Sequence, residues 1–188
     1  MSKSSLLAAV ASYALWPFPV HSCMMAAELV LEDVRLADVV VIGAIENYKV
    51  VLDPKAREER KALLERLPAD TDPEFREILE SQDAFLSDYA RFDVLVGEVL
   101  LGTASDRISV VWDNSTFGEP DKVPTGSYLV ALIAPTSPQP PLRGPSATVL
   151  PRPDASSLSV LQAPCSGAFI FPVDATAVAE IRAILAKD

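Results

Sequence analysis

Residues Arg35 to Val51, RLADVVVIGAIENYKVV, constrain the fold of this chain more than any other stretch. Val39, Val40, Val41 and Ile42 run together, Gly43 follows where the chain can bend, and Ile45, Tyr48, Val50 and Val51 continue the pattern. β-Branched and aromatic side chains at this density suit a pleated surface buried on at least one side. The stretch predicts a long first strand, coiled at its glycine. Phe92 to Leu101, Ile108 to Trp112, Tyr128 to Ala134 and Ala168 to Val173 share this character and are expected to complete a small closed sheet.

A chain of 188 residues, 49% hydrophobic and 22% charged, has enough apolar material for one domain with a packed core. Its formal charge is -10. Binding to phosphate backbones or anionic membrane surfaces draws on Lys and Arg, so so acidic a chain argues against nucleic acid as a partner.

The first residues read as an address. Lys3 precedes the apolar run Leu6 to Leu15, which has the length of a signal-peptide core and is too short to span a bilayer. Trp16, Pro17, Phe18 and Pro19 break any helix there, and Val20-His21-Ser22 places small residues where a signal peptidase inspects the chain. The expectation is a signal peptide over 1–22, a single domain over 23–188, and a periplasmic or extracellular location. The competing reading of the run is a buried N-terminal helix. No other segment approaches the apolar length of a membrane span.

Cleavage after Ser22 makes Cys23 the first residue, and three fates compete for it. In an exported protein the two cysteines, Cys23 and Cys165, are expected to form a disulfide. Val20-His21-Ser22-Cys23 also reads as a poor lipobox, and a lipid anchor on the Cys23 sulfur would preclude the bridge. Two free thiols are the third case. Met24 and Met25 beside it serve equally as an adaptable apolar contact or as packing.

The connections are legible from their punctuation. Ala26, Leu29, Val30 and Val34 recur at helical spacing, predicting a short amphipathic helix between Met24 and Leu36. Asp53-Pro54 and Asp72-Pro73 are two helix starts, an N-cap followed by proline at the first position. They predict a helical hairpin within an insertion over 53–89. Pro135, Pro138, Pro140, Pro141, Pro145, Pro151 and Pro153 crowd the segment 135–157, which suits an extended covering loop better than a recognition site for proline-binding modules. Ala163-Pro164-Cys165-Ser166-Gly167 is a turn, and Asp174 is expected to cap a C-terminal helix carrying Val178, Ile181, Ile184 and Leu185, with Val173 stapled on Val178.

Cys23, the run Ala37-Asp38-Val39-Val40-Val41-Ile42-Gly43, the strand Gly126-Ser127-Tyr128-Leu129-Val130 and the late Cys165-Ser166-Gly167 occur in a telling order. That order resembles the OB-fold, netrin-like domain of the tissue inhibitors of metalloproteinases and its bacterial relatives. The resemblance implies a mainly β protein with helical additions: a five-stranded OB-type closed β-barrel, with the hairpin between strands 1 and 2, reaching toward the binding face. It also implies a zinc metalloprotease as partner, with the amine and carbonyl of Cys23 capping the open position on the protease zinc. The sequence departs from that pattern at Cys23-Met24-Met25, which lacks the second cysteine of the family's Cys-X-Cys.

Catalytic constellations are hard to find. His21, the only histidine, falls inside the segment expected to be removed, which excludes Ser-His-Asp and Cys-His mechanisms in a mature chain. The glycines are scattered, with no phosphate loop, and the cysteines are too far apart for a zinc or redox pair. The acids Glu58, Glu59, Glu65, Asp70, Asp72, Glu74, Glu77, Glu80, Asp83 and Asp88 read as solvated helix faces rather than an acid–base dyad. The alternation of Asp70, Asp72 and Glu74 lacks the glycine of a calcium loop. Trp112 and Tyr128 are expected in the core. No cofactor, no metal and no catalytic residue are expected.

Three functions follow from these features. The first is an exported, non-catalytic module that binds a protein through Cys23, Met24, Met25 and the hairpin. A lipid-anchored envelope protein is the second, and a small-ligand carrier or enzyme the third.

Overall fold

The computed structural model of the protein describes residues 26–81, 87–113, 120–142, 154 and 156–187. Its strands are β1 (Val39–Val51), β2 (Tyr89–Leu101), β3 (Arg107–Asp113), β4 (Ser127–Ile133), β5 (Leu158–Val160) and β6 (Ile170–Pro172). Among the described residues three α-helices accompany them: α1 (Pro54–Arg66), α2 (Pro73–Ser81) and α3 (Thr176–Leu185). The strands pair in the order β1-β2-β3-β5-β4-β6, and β1 also pairs with β4. The first five strands therefore close on themselves, with β3 and β5 parallel, as an OB-type barrel. The mainly β, five-stranded closed architecture expected from the sequence is the one observed.

Closure follows from the length of β1. Its first half pairs with β4 from Val39 to Ala44, while the whole strand pairs with β2 from Val40 to Val51. One strand can serve two neighbours at different heights only by coiling, and the register with β2 shifts between Ile42 and Gly43. A Cβ on Gly43 would lie 2.3 Å from the carbonyl oxygen of Leu95, so the close crossing excludes any side chain there.

Two cores lie on either side of the β1–β4 wall. The barrel interior holds Val39, Val41, Phe92, Val94, Val110, Trp112, Tyr128, Val130, Leu132 and Val160. Alternation then turns Val40, Leu129, Ala131 and Ile133 outward, where Phe169, Leu161, Val34, Val178 and Ile181 cover them. Trp112 and Tyr128 are core residues as expected. Each keeps its polar tip satisfied: the Trp112 indole N–H donates to Gln162 Oε1 at 3.1 Å, and the Tyr128 hydroxyl donates to the Pro124 carbonyl at 2.8 Å.

The structure corrects four expectations. The strand that closes the barrel is Leu158–Val160, not Ala168 to Val173; the latter forms β6, an added strand beside β4. Both segments pair with the same edge of β4, separated by a loop pinched at Gln162 and Ala168, and three residues are too few to show a periodicity. The short helix expected between Met24 and Leu36 is, among the described residues, a 3-10 helix confined to Leu31–Leu36. The preceding backbone is engaged elsewhere, since the Ala27 N–H donates to the Cys165 carbonyl. Ala175, not Asp174, occupies the cap of α3, its N–H donating to the Pro172 carbonyl. Val173 stays 43% exposed, so the staple on Val178 does not form.

Candidate functional site

The helical hairpin expected between the first two strands is present, and its starts are the two Asp-Pro pairs. Asp53 Oδ1 accepts from the N–H groups of Lys55 and Ala56 at 2.9 and 3.2 Å, with Pro54 opening α1. Asp72 Oδ1 does the same for Glu74 and Phe75 at 2.8 and 3.2 Å. Hydrogen bonds from the Ser87 side chain, first, and from the backbone of Ala56 and Lys55 hold the Asp53 carboxyl below its ordinary range.

A buried carboxylate fixes the hairpin to the barrel. Asp88, just before β2, receives both guanidinium nitrogens of Arg57 and the backbone N–H of Asp53. It is buried, and so is the exception among the described acids that the sequence assigned to solvated faces; Asp83 lies outside the described residues. Between the helices, Arg60 reaches the Leu79 carbonyl at 3.4 Å and Arg76 the Pro68 carbonyl at 3.3 Å. Beyond these polar ties the hairpin buries little. Neither helix contains a buried residue, and Leu63, Phe75 and Ile78 are 49%, 50% and 57% exposed.

A second feature is a shallow cleft of about 480 Å³ on β1, β2 and β3, lined by Asn47, Tyr48, Lys49, Arg91, Phe92, Asp93 and Ser109. It sits where β1 bulges: the register jumps between Glu46 and Lys49, and Asn47 takes a left-handed φ of 55°. Glu46, Asp93 and Ser109 stand in register across the three strands. Two carboxylates directly opposite would repel, and Arg107 bridges them, at 2.9 Å to Glu46 and 3.2 Å to Asp93. Asp93 also accepts from Asn47 Nδ2 and Ser109 Oγ, each at 2.7 Å. Asn47 foremost, then Ser109 and Arg107, hold its carboxyl below the ordinary range. A carboxylate so stabilised is a poor base near neutral pH.

Searches against family models, curated proteins and solved structures found no match. Among the described residues no three His, Cys, Asp or Glu side chains gather around a metal-sized space, and no helix is long and apolar enough to cross a membrane.

Of the residues expected to bind, Cys23, Met24 and Met25 lie outside the described residues, as do the signal segment 1–22 and His21. Cys165 is buried, with a left-handed φ of 66°, in the turn that the sequence placed there. The N-terminal segment runs beside that turn: Ala27 N–H donates to the Cys165 carbonyl at 2.7 Å, and Ser166 Oγ donates to the Glu28 carbonyl at 3.3 Å. Gln162 ties the turn to the barrel, its Nε2 donating to the Ser166 carbonyl at 2.7 Å. The cleft residues escaped sequence reading because they come from three strands and meet only through register. Asn47, tolerant of the left-handed region, is the one local signal of the bulge.

Proposed function

We propose that this chain is an exported, non-catalytic OB-type module that binds a protein partner through its helical hairpin and its N-terminal edge. The observation that carries the reading is a hairpin anchored at its base by Arg57 and Asp88 while Leu63, Phe75 and Ile78 stand exposed on it. Helices of 13 and 9 residues are marginal in water without an apolar face packed on something. A partner surface supplies that packing.

Export is supported by the route of the N-terminal segment. Ala27 touches Cys165, and Cys23 is four residues further back, a span of up to about 13 Å. That reach allows the Cys23–Cys165 disulfide of an oxidising compartment. In the inhibitor-like form of this function, the amine and carbonyl of Cys23 face the zinc of a metalloprotease.

The test is a pull-down from envelope extract with the mature, oxidised protein and with a Phe75→Glu/Ile78→Glu variant, followed by a zinc-protease assay on what binds. Capture by the first and not the second supports the hairpin as the binding surface; equal capture rejects it. For the protease form, one residue added before Cys23 abolishes inhibition, and inhibition that survives the addition rejects that mechanism.

A further inference from the structure

We infer that the cleft on β1, β2 and β3 is a binding site for a small organic acid, whose carboxylate lies between Lys49 and Arg91. The cleft shares no residue with the hairpin surface, so the two readings stand or fall separately.

Two like-charged pairs occupy this part of the sheet. Glu46 stands opposite Asp93, and Lys49 stands opposite Arg91. Like charges directly opposite destabilise a strand pair unless something bridges them. The acidic pair has its bridge in Arg107, 2.9 Å from Glu46 and 3.2 Å from Asp93. The basic pair is only half answered. Arg91 Nη2 donates to Asp154 Oδ2 at 2.8 Å, whereas Lys49 is exposed and makes no hydrogen bond or ion pair among the described residues. An anion between Lys49 and Arg91 does for the basic pair what Arg107 does for the acidic one.

The hydrogen-bonding capacity left in the cleft is mostly that of donors. The Asp93 oxygens already accept from Asn47, Ser109 and Arg107, and those of Asp154 from Ser156, Ser157 and Arg91. Lys49 keeps all its N–H donors, and Arg91 all but the one that Asp154 takes. Arg91 is also positioned in advance: beyond its bond to Asp154, its Cζ lies 5.6 Å from the centroid of the Tyr89 ring.

Charge and size narrow the class of ligand. A carboxylate brings one negative charge, matching the single unanswered cation; a phosphate dianion brings a second one close to Asp93 and Asp154. At about 480 Å³ the cleft falls within the range of small-molecule sites and exceeds what one carboxylate group fills, which leaves room for an organic body. Tyr48, half-buried and 6.0 Å from the Phe92 ring, gives that body an aromatic contact.

The test titrates isotope-labelled protein with acetate, butyrate and benzoate and follows the backbone amides by NMR, with benzamide as the uncharged match of benzoate and inorganic phosphate as a second anion. Shifts gathered at Asn47, Lys49, Arg91 and Ser109 that saturate below about 10 mM benzoate, and their absence with benzamide, are expected. Lys49→Gln should weaken benzoate at least about fivefold, Lys49→Arg should recover it, and Lys61→Gln, outside the cleft, should leave it unchanged. Without ligand, Lys49→Gln should be no less stable than the parent, because it removes a like-charge contact.

The inference is overturned if none of these acids gives a saturable shift in the cleft up to about 20 mM, if benzamide binds as well as benzoate, or if Lys49→Gln binds undiminished. Phosphate that binds the cleft more tightly than benzoate overturns the assignment to a carboxylate.

Discussion

Arg57 and Asp88 meet side by side, Nη1 to Oδ1 at 2.7 Å and Nη2 to Oδ2 at 2.8 Å, across the base of the hairpin. The Asp88 side chain is 2% exposed and that of Arg57 26%, so the pair is protected from water mainly on the carboxylate side. Removing the cation deprives a buried carboxylate of its guanidinium partner, while the Asp53 N–H still donates to it. Arg57→Ala is expected to lower stability by about 2 to 3 kcal/mol, below the full cost of breaking a fully buried pair because the guanidinium is partly solvated. Urea unfolding measures it, and proteolysis should cut first between α1 and α2.

Gly43→Ala tests the coil of β1. The added carbon would sit 2.3 Å from the Leu95 carbonyl oxygen and 2.9 Å from a Val94 methyl, and neither strand can yield without breaking register. A loss of about 2 to 3 kcal/mol is expected. Gly167→Ala is the control, since nothing lies within 4 Å of its added carbon, and should unfold at nearly the parent midpoint.

Acid should weaken the cross-strand cluster. The Asp93 carboxyl is held low by Asn47, Ser109 and Arg107, and the Glu98 carboxyl by its bond to Arg182. A folded-state value below the unfolded one contributes stability that is full above the ordinary carboxylate range and fades as pH falls through the folded value. Stability should therefore decline below about pH 4, and Asp93→Asn should flatten that decline while lowering stability at neutral pH. Urea midpoints taken across the acid range decide it; an unchanged slope in the variant would remove Asp93 from the account.

Cys165→Ser examines the proposed bridge. Under oxidising conditions the substitution should cost about 2 to 5 kcal/mol. Parent protein that melts at the same temperature with and without reductant refutes the disulfide.

Phe75→Glu and Ile78→Glu make the opposite prediction for stability. Both positions are exposed on helices with no buried residue, so folding should change by no more than about 0.5 kcal/mol while binding is lost. A large drop in the unfolding midpoint would mean that these side chains pack on the protein itself.

The sequence by itself determined the long β1, its coil at Gly43, the two Asp-Pro helix starts and the turn at Cys165, because each depends on neighbours within a few residues. β-Branched density, a cap followed by proline, and a Pro-Cys-Ser-Gly cluster are local physics. What it left open was every relation set by register or by distant contact. Three residues, Leu158 to Val160, became the closing strand because β3 and β4 each left an edge to pair, not because of their composition. Asp88 became an anchor because tertiary packing brought Arg57 and Asp53 to it from across the hairpin, and Asp93 joined Glu46, Ser109 and Arg107 only once three strands were aligned. Pairing energies of this kind depend on which groups face each other in space, and that arrangement is decided by the closed barrel as a whole.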